Sequence, residues 1–178
     1  MNEQVQAMMR HRKYENISEA QICSTVKKLP LLVYTATNTG VEVICCIVAS
    51  VVPCGKNEML ALLESFTLEA RHLIVVCKPN LNFPAIVAAT NVNNKGFSLE
   101  LLEPSDLFCD KPSVGFVPLM KRVDASRVLK KLHLDDVQKL PKLLRTDAMV
   151  IYYGFKQGDV IRCTSKGSLS QVHYRVVL

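Results

Sequence analysis

Hydrophobic residues in the first thirty positions follow the spacing of amphipathic helices. Val5, Met8 and Met9 recur at i, i+3 and i+4, which predicts a helix over residues 3–12. Ser18 is a residue type that caps helices, and Pro30 cannot continue one. A second helix is therefore predicted between these two residues, over positions 18–28.

Two β-rich runs come next, over residues 31–37 and 41–52. They are joined by Asn38-Thr39-Gly40, a sequence typical of a hairpin turn. The second run is apolar on both faces, a pattern typical of a central strand that is covered on each side. This pattern favours an α/β arrangement over an open antiparallel sheet.

A crossover unit is predicted after the hairpin. Apolar residues over positions 57–70 have helical spacing, and residues 73–77 form a short apolar run typical of a buried strand. Strand, helix and strand in this order indicate two parallel strands joined by a helix. A further strand over residues 98–102 completes the first predicted domain.

The chain after residue 103 predicts a smaller α+β unit. Residues 104–118 contain three prolines and little periodicity, so this segment is predicted to be a connector. Asp124 is placed to cap a helix over residues 125–133, with its apolar side chains on one face.

A second capped helix and two strands complete this unit. Asp147 is placed to cap a short helix that ends at Gly154, a usual residue for the left-handed position after a helix. Strands are predicted over residues 159–164 and 172–177, separated by the turn Lys166-Gly167-Ser168.

The charge of the chain changes at the same place as this pattern. Residues 1–103 carry nine Lys or Arg and nine Glu, whereas residues 104–178 carry thirteen Lys or Arg and seven Asp. The net charge of +6 therefore lies entirely in the second part. We predict two domains, residues 1–103 and 104–178, of which the neutral first one is not expected to bind nucleic acid strongly by itself.

Composition excludes several classes of protein. The 178 residues are 49% hydrophobic and 21% charged, which is typical of a globular chain and not of a disordered one. The longest apolar run, residues 43–53, is shorter than the ~20 residues that cross a bilayer, and the N-terminus lacks a signal or transit peptide pattern. No membrane association is expected. The seven cysteines include no C-x-x-C pair and are expected to be mostly reduced and buried.

The residue types that would support hydrolysis at a metal are missing from the first domain. A nuclease needs two or three carboxylates around a divalent ion. Residues 1–103 contain no Asp, and Glu42, Glu58 and Glu64 are not spaced as a set. The pair Gly55-Lys56 lacks the first glycine and the Ser or Thr of a phosphate loop. No metal, cofactor or small-molecule substrate is therefore expected.

The most specific pattern lies at the C-terminus. It consists of Leu140-Pro141-Lys142-Leu143, Asp147, the run Tyr153-Gly154-Phe155-Lys156-Gln157-Gly158-Asp159-Val160-Ile161-Arg162, and Tyr174-Arg175-Val176-Val177. It resembles the assembly domain of the fifth, shared subunit of nuclear RNA polymerases, a family that has an archaeal counterpart. The chain departs from the family pattern at Ala148, where Pro is usual, at Gln157, where Arg or Pro is usual, and in a shortened loop at residues 165–170.

Weaker agreement with this family extends upstream. Residues 9–14 stand where family members have a Leu-Arg-Asp-Arg-Gly-Tyr-like helix end, and residues 70–76 match an Ala-Leu-Ile-Val-Val strand. Phe83-Pro84-Ala85 falls at a Thr-Pro-Ser-Ala turn, and Val117-Pro118 is what remains of a segment ending in His-Glu-Leu-Val-Pro. Together with the departures at Ala148, Gln157 and residues 165–170, these partial matches indicate a divergent, paralogous or viral member of the family.

The resemblance implies a non-catalytic subunit of a DNA-directed RNA polymerase. It implies an α/β N-terminal jaw-like domain of nuclease-like topology without an active site, followed by a small α+β assembly domain. That domain is expected to anchor on the largest subunit, next to neighbouring small subunits. The expected location is the nucleus or nucleolus, or the cytoplasm or virion for a viral member. The residues expected at the docking surface are Val117, Pro118, Leu140, Pro141, Lys142, Asp147, Tyr153, Gly154, Lys156, Gly158, Arg162, Tyr174 and Arg175.

Several of these residues also have a purely structural interpretation. Gly154 supplies a positive φ at a helix end and Gly158 a tight turn before a strand. Leu140 and Leu143 either pack within the unit or against a partner. The cations in this region, Lys142, Arg145, Lys156, Arg162 and Arg175, form a basic face or are individually solvated.

A DNA contact is also implied by the resemblance. Pro84 matches the family turn, and Lys78, Asn80 and Asn82 lie in the same predicted loop. Backbone amides, Asn side chains and one ammonium group are suited to weak, sequence-independent contact with the phosphates of downstream duplex DNA.

Two other functions stay open at this point. A metal-dependent nuclease would show Mg²⁺-dependent cleavage that is lost when Glu42 or Glu58 is replaced. A transcription-associated adaptor outside the core polymerase would share the C-terminal pattern but exchange freely with free polymerase.

Overall fold

The computed structural model of the chain contains two compact units, Met1–Leu107 and Phe108–Leu178. The 3-10 helix Pro104–Phe108 lies at the junction, within the predicted connector. The structure describes residues 2–19, 21–23, 31–38, 42–49, 72–77, 98–108, 119–164 and 171–178.

The first unit begins with helix α1, Asn2–His11. Its apolar face is fully buried, because Val5, Met8 and Met9 each have 0% exposure. The helix ends in a reversal in which the Tyr14 amide donates to the Met9 carbonyl (3.0 Å) and Lys13 takes a positive φ of 62°. This is the bonding pattern of a left-handed helix end, and it brings the chain back toward the sheet.

Five strands of the first unit form one mixed sheet in the order β1-β2-β3-β4-β5. The first three are antiparallel neighbours, whereas β3, β4 and β5 run parallel. The hairpin and the parallel pair predicted from the sequence are thus confirmed, and the helix predicted over residues 57–70 lies outside the described residues. The strands are β1 Gln21–Cys23, β2 Leu31–Asn38, β3 Glu42–Ala49, β4 His72–Cys77 and β5 Ser98–Leu102.

The helix predicted to start at Ser18 is wrong. Residues 21–23 form β1, which pairs with β2. The Ser18 hydroxyl accepts a hydrogen bond from the Thr35 amide (2.9 Å), and the Ser18 amide donates to the Thr35 carbonyl (2.8 Å). Glu15 and Thr37 exchange two further backbone bonds of 2.7 and 2.8 Å. The backbone groups of β2 need partners, and this pairing satisfies them in a way that a capped helix would not.

The core of the first unit lies around β4. All six residues of β4 are buried, as expected for a central strand covered on both faces. In the neighbouring strand β5, Leu99 and Leu102 are buried whereas Glu100 is only half-buried.

The second unit contains a four-stranded sheet in the order β6-β8-β9-β7. The helix after Asp124, the helix after Asp147 and the two strands after Gly158 are confirmed, whereas β6, β7 and a 3-10 helix at Val137–Lys139 were not predicted. The elements are β6 Leu119–Val123, α2 Ala125–Leu132, β7 Lys142–Leu143, α3 Ala148–Tyr153, β8 Val160–Thr164 and β9 Val172–Val177.

A helix covers each face of this second sheet. Val128 of α2 packs with Val160 and Val176 on one face. Val150 of α3 packs with Ile161 and Val177 on the other. Because successive residues of a strand point to opposite faces, Val176 and Val177 contribute one side chain to each core.

Candidate functional site

Both ends of α3 are built as the sequence predicts. Asp147 is the N-cap, and its Oδ1 accepts a hydrogen bond from the Met149 amide at 2.9 Å. Gly154 ends the helix with φ 65°, and its amide donates to the Ile151 carbonyl. The Phe155 amide donates to the Val150 carbonyl at 3.0 Å. Most side chains are strained in this left-handed conformation, so the backbone favours glycine at position 154.

Asp159 organises the turn between α3 and β8. Its Oδ2 accepts from the Lys156 amide at 2.7 Å and lies 2.8 Å from Arg122 Nη2. Gly158 has φ 86°, and its amide donates to the Val177 carbonyl at 2.9 Å. The turn is therefore fixed to β6 by an ion pair and to β9 by a backbone hydrogen bond.

The segment around Pro141 is held along β9. The Pro141 carbonyl accepts from the Val176 amide at 3.0 Å, and the Lys142 carbonyl accepts from Arg175 Nη1 at 3.5 Å. Leu143 is buried, whereas the next residue, Leu144, is 62% exposed. An exposed leucine near an exposed proline and lysine is an apolar point on an otherwise polar surface.

Three aromatic side chains extend the α3 core toward the turn. The rings of Tyr153 and Phe155 are stacked at a centroid distance of 5.4 Å. Tyr152 and Tyr153 meet edge to face at 5.3 Å. Tyr153 and Phe155 are half-buried, so they form the border between this core and the surface.

The residues of the expected docking surface differ in accessibility. Leu140 is 3% exposed and packs with Val128, Val160 and Val176, which places it in the core. The half-buried members are Asp147, Tyr153, Gly154 and Tyr174. The exposed members are Pro141, Lys142, Lys156, Gly158, Arg162 and Arg175.

The expected basic face is divided between two sides of the sheet. Arg162 is the register partner of Tyr174, and Arg175 is the partner of Ile161. Arg162 therefore points to the α2 side, where Tyr174 packs, and Arg175 points to the α3 side, where Ile161 packs. This division depends on strand register, so it could not be predicted from the sequence.

Several residues singled out in the sequence lie outside the described residues. These are the predicted DNA-proximal loop with Lys78, Asn80, Asn82 and Pro84, the expected docking residues Val117 and Pro118, and the acidic residues Glu58 and Glu64.

A buried polar cluster in the first unit was not predicted. Arg12 Nη1 lies 2.7 Å from Glu100 Oε2, and the Arg12 side chain is 2% exposed. His72 Nε2 lies 2.9 Å from Glu100 Oε1, although it makes no directed hydrogen bond in the described part of the chain. The signal that could have revealed this cluster is an acidic residue inside the apolar strand β5.

Electrostatics favour the charged form of Glu100. Burial by itself raises the pKa of this carboxyl group, but the contact with His72 and the charge of Arg12 outweigh it and lower the pKa to about 2. Glu100 is therefore ionised at neutral pH and paired with Arg12. The cluster ties the end of α1 to strands β4 and β5, which is a structural role.

The thiols of Cys77 and Cys163 are buried, and neither forms a disulfide bond. Burial raises the pKa of the Cys163 thiol above its ordinary value, which keeps it protonated and unreactive at neutral pH. Among the described residues, no group of three or more His, Cys, Asp or Glu side chains could hold a metal ion. No helix in the part of the chain that the structure describes has the length and apolarity of a membrane span.

The second unit is similar to a domain of known proteins. The family model of the RNA polymerase Rpb5 C-terminal domain matches residues 115–177. The chain is 28% identical over 116 residues to DNA-directed RNA polymerases IV and V subunit 5B of Arabidopsis thaliana, with 58% of this chain and 53% of the relative covered. It is also 28% identical over 80 residues to DNA-directed RNA polymerase V subunit 5A of the same plant, with 43% and 36% covered.

These matches confirm the resemblance deduced from the C-terminal motif. The alignments span about half of the first relative's length and just over a third of the second's. Residues 115–177 thus match the Rpb5 C-terminal domain, and the chain is similar to subunit 5 proteins of plant RNA polymerases over part of its length.

Proposed function

Because the second unit of this chain belongs to the Rpb5 C-terminal domain family, we propose that the protein is a non-catalytic subunit of a multisubunit DNA-directed RNA polymerase. The relatives named above are polymerase subunits, which supports other polymerase subunits as its partners. Its contribution to transcription is then the shape of a binding surface and not a chemical step. We place this function in the nucleus.

The observation that carries this proposal is the agreement between the family match and the construction of α3 and its turn. The matched residues 115–177 include the Asp147 cap, the left-handed Gly154 and the Gly158 turn. These three features hold Lys156 on a rigid support, and the pairing of β7 with β9 does the same for Lys142. A rigid, largely preformed surface binds a partner without a large ordering cost.

In finer detail, we propose that the second unit anchors the protein on the largest polymerase subunit. The exposed residues Pro141, Lys142, Lys156 and Arg175 are the proposed contacts, with Leu144 as an apolar anchor. The unit's excess of positive charge favours a partner surface with acidic residues. Val117 and Pro118 belong to the same proposed surface.

The first unit has a separate proposed role. We assign it to the jaw near downstream duplex DNA, with a nuclease-like arrangement that has no active site. Lys78, Asn80, Asn82 and Pro84 are its proposed phosphate contacts. Since residues 1–103 have no net charge, these contacts are expected to be weak and to depend on assembly.

Assembly is tested by co-purification. The tagged full chain is expected to co-elute with very large polymerase subunits, identified by mass spectrometry. Replacing Lys142 and Arg175 by Glu reverses two exposed charges and is expected to release the subunit. The matched control replaces Arg127 and Lys130 of α2 by Glu, with the same change of net charge, and is expected to stay bound. A chain found alone in its native compartment contradicts the proposal.

The DNA contact is tested in the assembled enzyme. A photo-crosslinking residue at position 84 is expected to label downstream duplex DNA, and the same residue at Gln157 in the second unit serves as the control. If position 84 gives no more DNA adduct than position 157, the jaw role is wrong.

Both alternative functions have their own tests. A nuclease would cleave DNA in Mg²⁺, and that activity would be lost on replacing Glu42 or Glu58 by Gln. An adaptor would dissociate from polymerase during sedimentation at high salt, whereas a core subunit is expected to stay bound.

A further inference from the structure

Two cations lie opposite each other on the α2 side of the second sheet. Lys121 of β6 is the register partner of Arg162 of β8, which in turn is the partner of Tyr174 of β9. Directly opposite residues in an antiparallel pair have Cβ atoms about 4.5–5.5 Å apart, and like charges in this position repel. Both cations are exposed, and neither has an acidic partner among the residues that the structure describes.

The other side of the same sheet is arranged differently. Arg122 is paired with Asp159 at 2.8 Å, and Arg175 donates to the Lys142 carbonyl at 3.5 Å. The acidic residues near α2 are also in use, because Asp124 accepts from the Arg127 amide and Asp135 pairs with Lys139. The acidic side chains named here thus interact with other groups. Within the described part of this unit, none of them neutralises the positive charges of Lys121 and Arg162.

A third cation joins this pair from the helix. Lys131 Nζ lies over the Tyr174 ring, 5.8 Å from its centroid. This cation–π contact holds the Lys131 ammonium group on the same face as Lys121 and Arg162. Tyr174 packs with the α2 core, which fixes the ring beneath Lys131 and beside Arg162 in the sheet. We call Lys121, Lys131, Arg162 and Tyr174 the cationic cluster.

The cationic cluster has an apolar border. The next layer of the sheet on this face contains Thr164 and Val172, which are register partners, and Val172 is 38% exposed. In the opposite direction the layer of Val123, Val160 and Val176 packs against α2. Within the described part of this face, the sheet cations Lys121 and Arg162 therefore lie in one layer, next to an accessible aliphatic side chain.

We propose that the cationic cluster binds an acidic polypeptide segment of another polymerase subunit, with Val172 contacting an apolar residue of that segment. This inference rests on the proposed function for the source of the segment. Carboxylates would remove the repulsion between Lys121 and Arg162, and Arg162 offers the planar donor set that suits a carboxylate.

A peptide fits this surface better than duplex DNA. Surfaces that bind nucleic acid carry Lys and Arg clustered over one face or along a helix, so that several phosphates are contacted together. Among the described residues, the sheet cations Lys121 and Arg162 occupy a single layer that is bounded by Val172 on one side and by the helix-covered layer on the other. An apolar border adds contact with a peptide but not with a phosphate backbone.

The test measures binding of a labelled synthetic peptide of repeated Glu-Glu-Leu triplets to the full chain by fluorescence anisotropy. We expect saturable binding that weakens as salt is raised. Replacing Lys121 and Arg162 by Gln is expected to raise the Kd by about tenfold or more, since two close charge contacts are lost. The matched control replaces Arg127 and Lys130 by Gln and is expected to change the Kd by less than about twofold, since exposed charges outside a contact contribute little.

Three outcomes would overturn this inference. The first is that the peptide does not bind, and the second is that the two double variants bind it equally. The third is that a duplex DNA probe binds more tightly than the peptide and loses that binding in the Lys121/Arg162 variant. The last outcome would assign the cationic cluster to nucleic acid. Thermal denaturation of each variant checks that the fold is intact.

Co-purification and peptide binding together distinguish a failure of this inference from a failure of the proposed function. If the wild-type chain co-purifies with polymerase subunits but fails to bind the peptide, only the inference about the cationic cluster is wrong. If it binds the peptide but is found alone in its native compartment, the cationic cluster stands and the polymerase assignment is wrong.

Discussion

The Arg12 guanidinium lies 2.7 Å from the Glu100 carboxylate, although 88 positions separate the two residues in the sequence. Arg12 follows the last turn of α1, and Glu100 lies in the middle of β5. The contact therefore joins the start of the first unit to its final strand. Because the Arg12 side chain is almost fully buried, removing either charge alone would leave the other one poorly solvated and without its ion-pair partner.

Replacing Arg12 by Met is expected to destabilise the first unit by about 3–5 kcal/mol, because it leaves the Glu100 carboxylate without its cation. Chemical denaturation of the full chain, followed by circular dichroism, measures this change. The control is Arg10→Met, two positions earlier on the exposed side of α1, which is expected to change stability by less than about 0.5 kcal/mol.

A double variant separates lost charge from lost packing. Adding Glu100→Leu to Arg12→Met is expected to recover part of the loss, since no isolated charge remains. If the double variant is as unstable as the sum of two independent losses, the Arg12–Glu100 pair does not act as a unit.

Acid is expected to weaken the first unit through Glu100. Its pKa is lowered from 4.5 to about 2 in the folded chain, so its contribution to stability is complete above pH 4.5 and is lost as the pH falls toward 2. The shift corresponds to about 3 kcal/mol at most. Denaturation curves between pH 5 and pH 2 test this, with Glu100→Gln as the comparison because it lacks the titrating group. Equal pH dependence in both proteins contradicts the expectation.

Replacing Gly154 by Val is expected to destabilise the second unit by more than ~1 kcal/mol, because a β-branched side chain is forced into a left-handed conformation. Gly154→Asn is the matched control, since Asn tolerates this conformation and is expected to cost less. Thermal unfolding measures both. The Val variant is also expected to be lost from the polymerase complex, and an unchanged melting temperature would show that the α3 end does not need glycine.

Replacing Asp147 by Ala is expected to cost about 1 kcal/mol, because the Met149 amide loses its capping acceptor. Asp147→Ser keeps a capping oxygen and is expected to stay within a few tenths of a kcal/mol of the wild type. Urea denaturation distinguishes the two variants. Equal losses in both would mean that the negative charge of Asp147, and not its hydrogen bond, stabilises α3.

Much of the second unit was predictable because its signals are local. Asp124, Asp147 and Gly154 act on backbone groups a few residues away, so their types and spacing reveal the helix ends. Buried β4 was equally clear, since a short apolar run can be recognised without its neighbours.

The rest depends on contacts between distant parts of the chain. Ser18 is a plausible helix cap in the sequence, but its hydroxyl and amide bond to Thr35 instead. The short strand β7 has two residues and exists only because β9 lies beside it. The opposite orientations of Arg162 and Arg175 follow from strand register, which no local pattern specifies.

The pairing of Glu15, Ser18 and β1 with β2 has a consequence for the handling of the protein. An uncovered strand of eight residues would be a template for aggregation through added strands from other molecules. Glu15, Ser18 and β1 already occupy backbone groups on that side of β2. Removing the first twenty-three residues is therefore expected to make the protein prone to precipitation, and α1 should be kept in any shortened version.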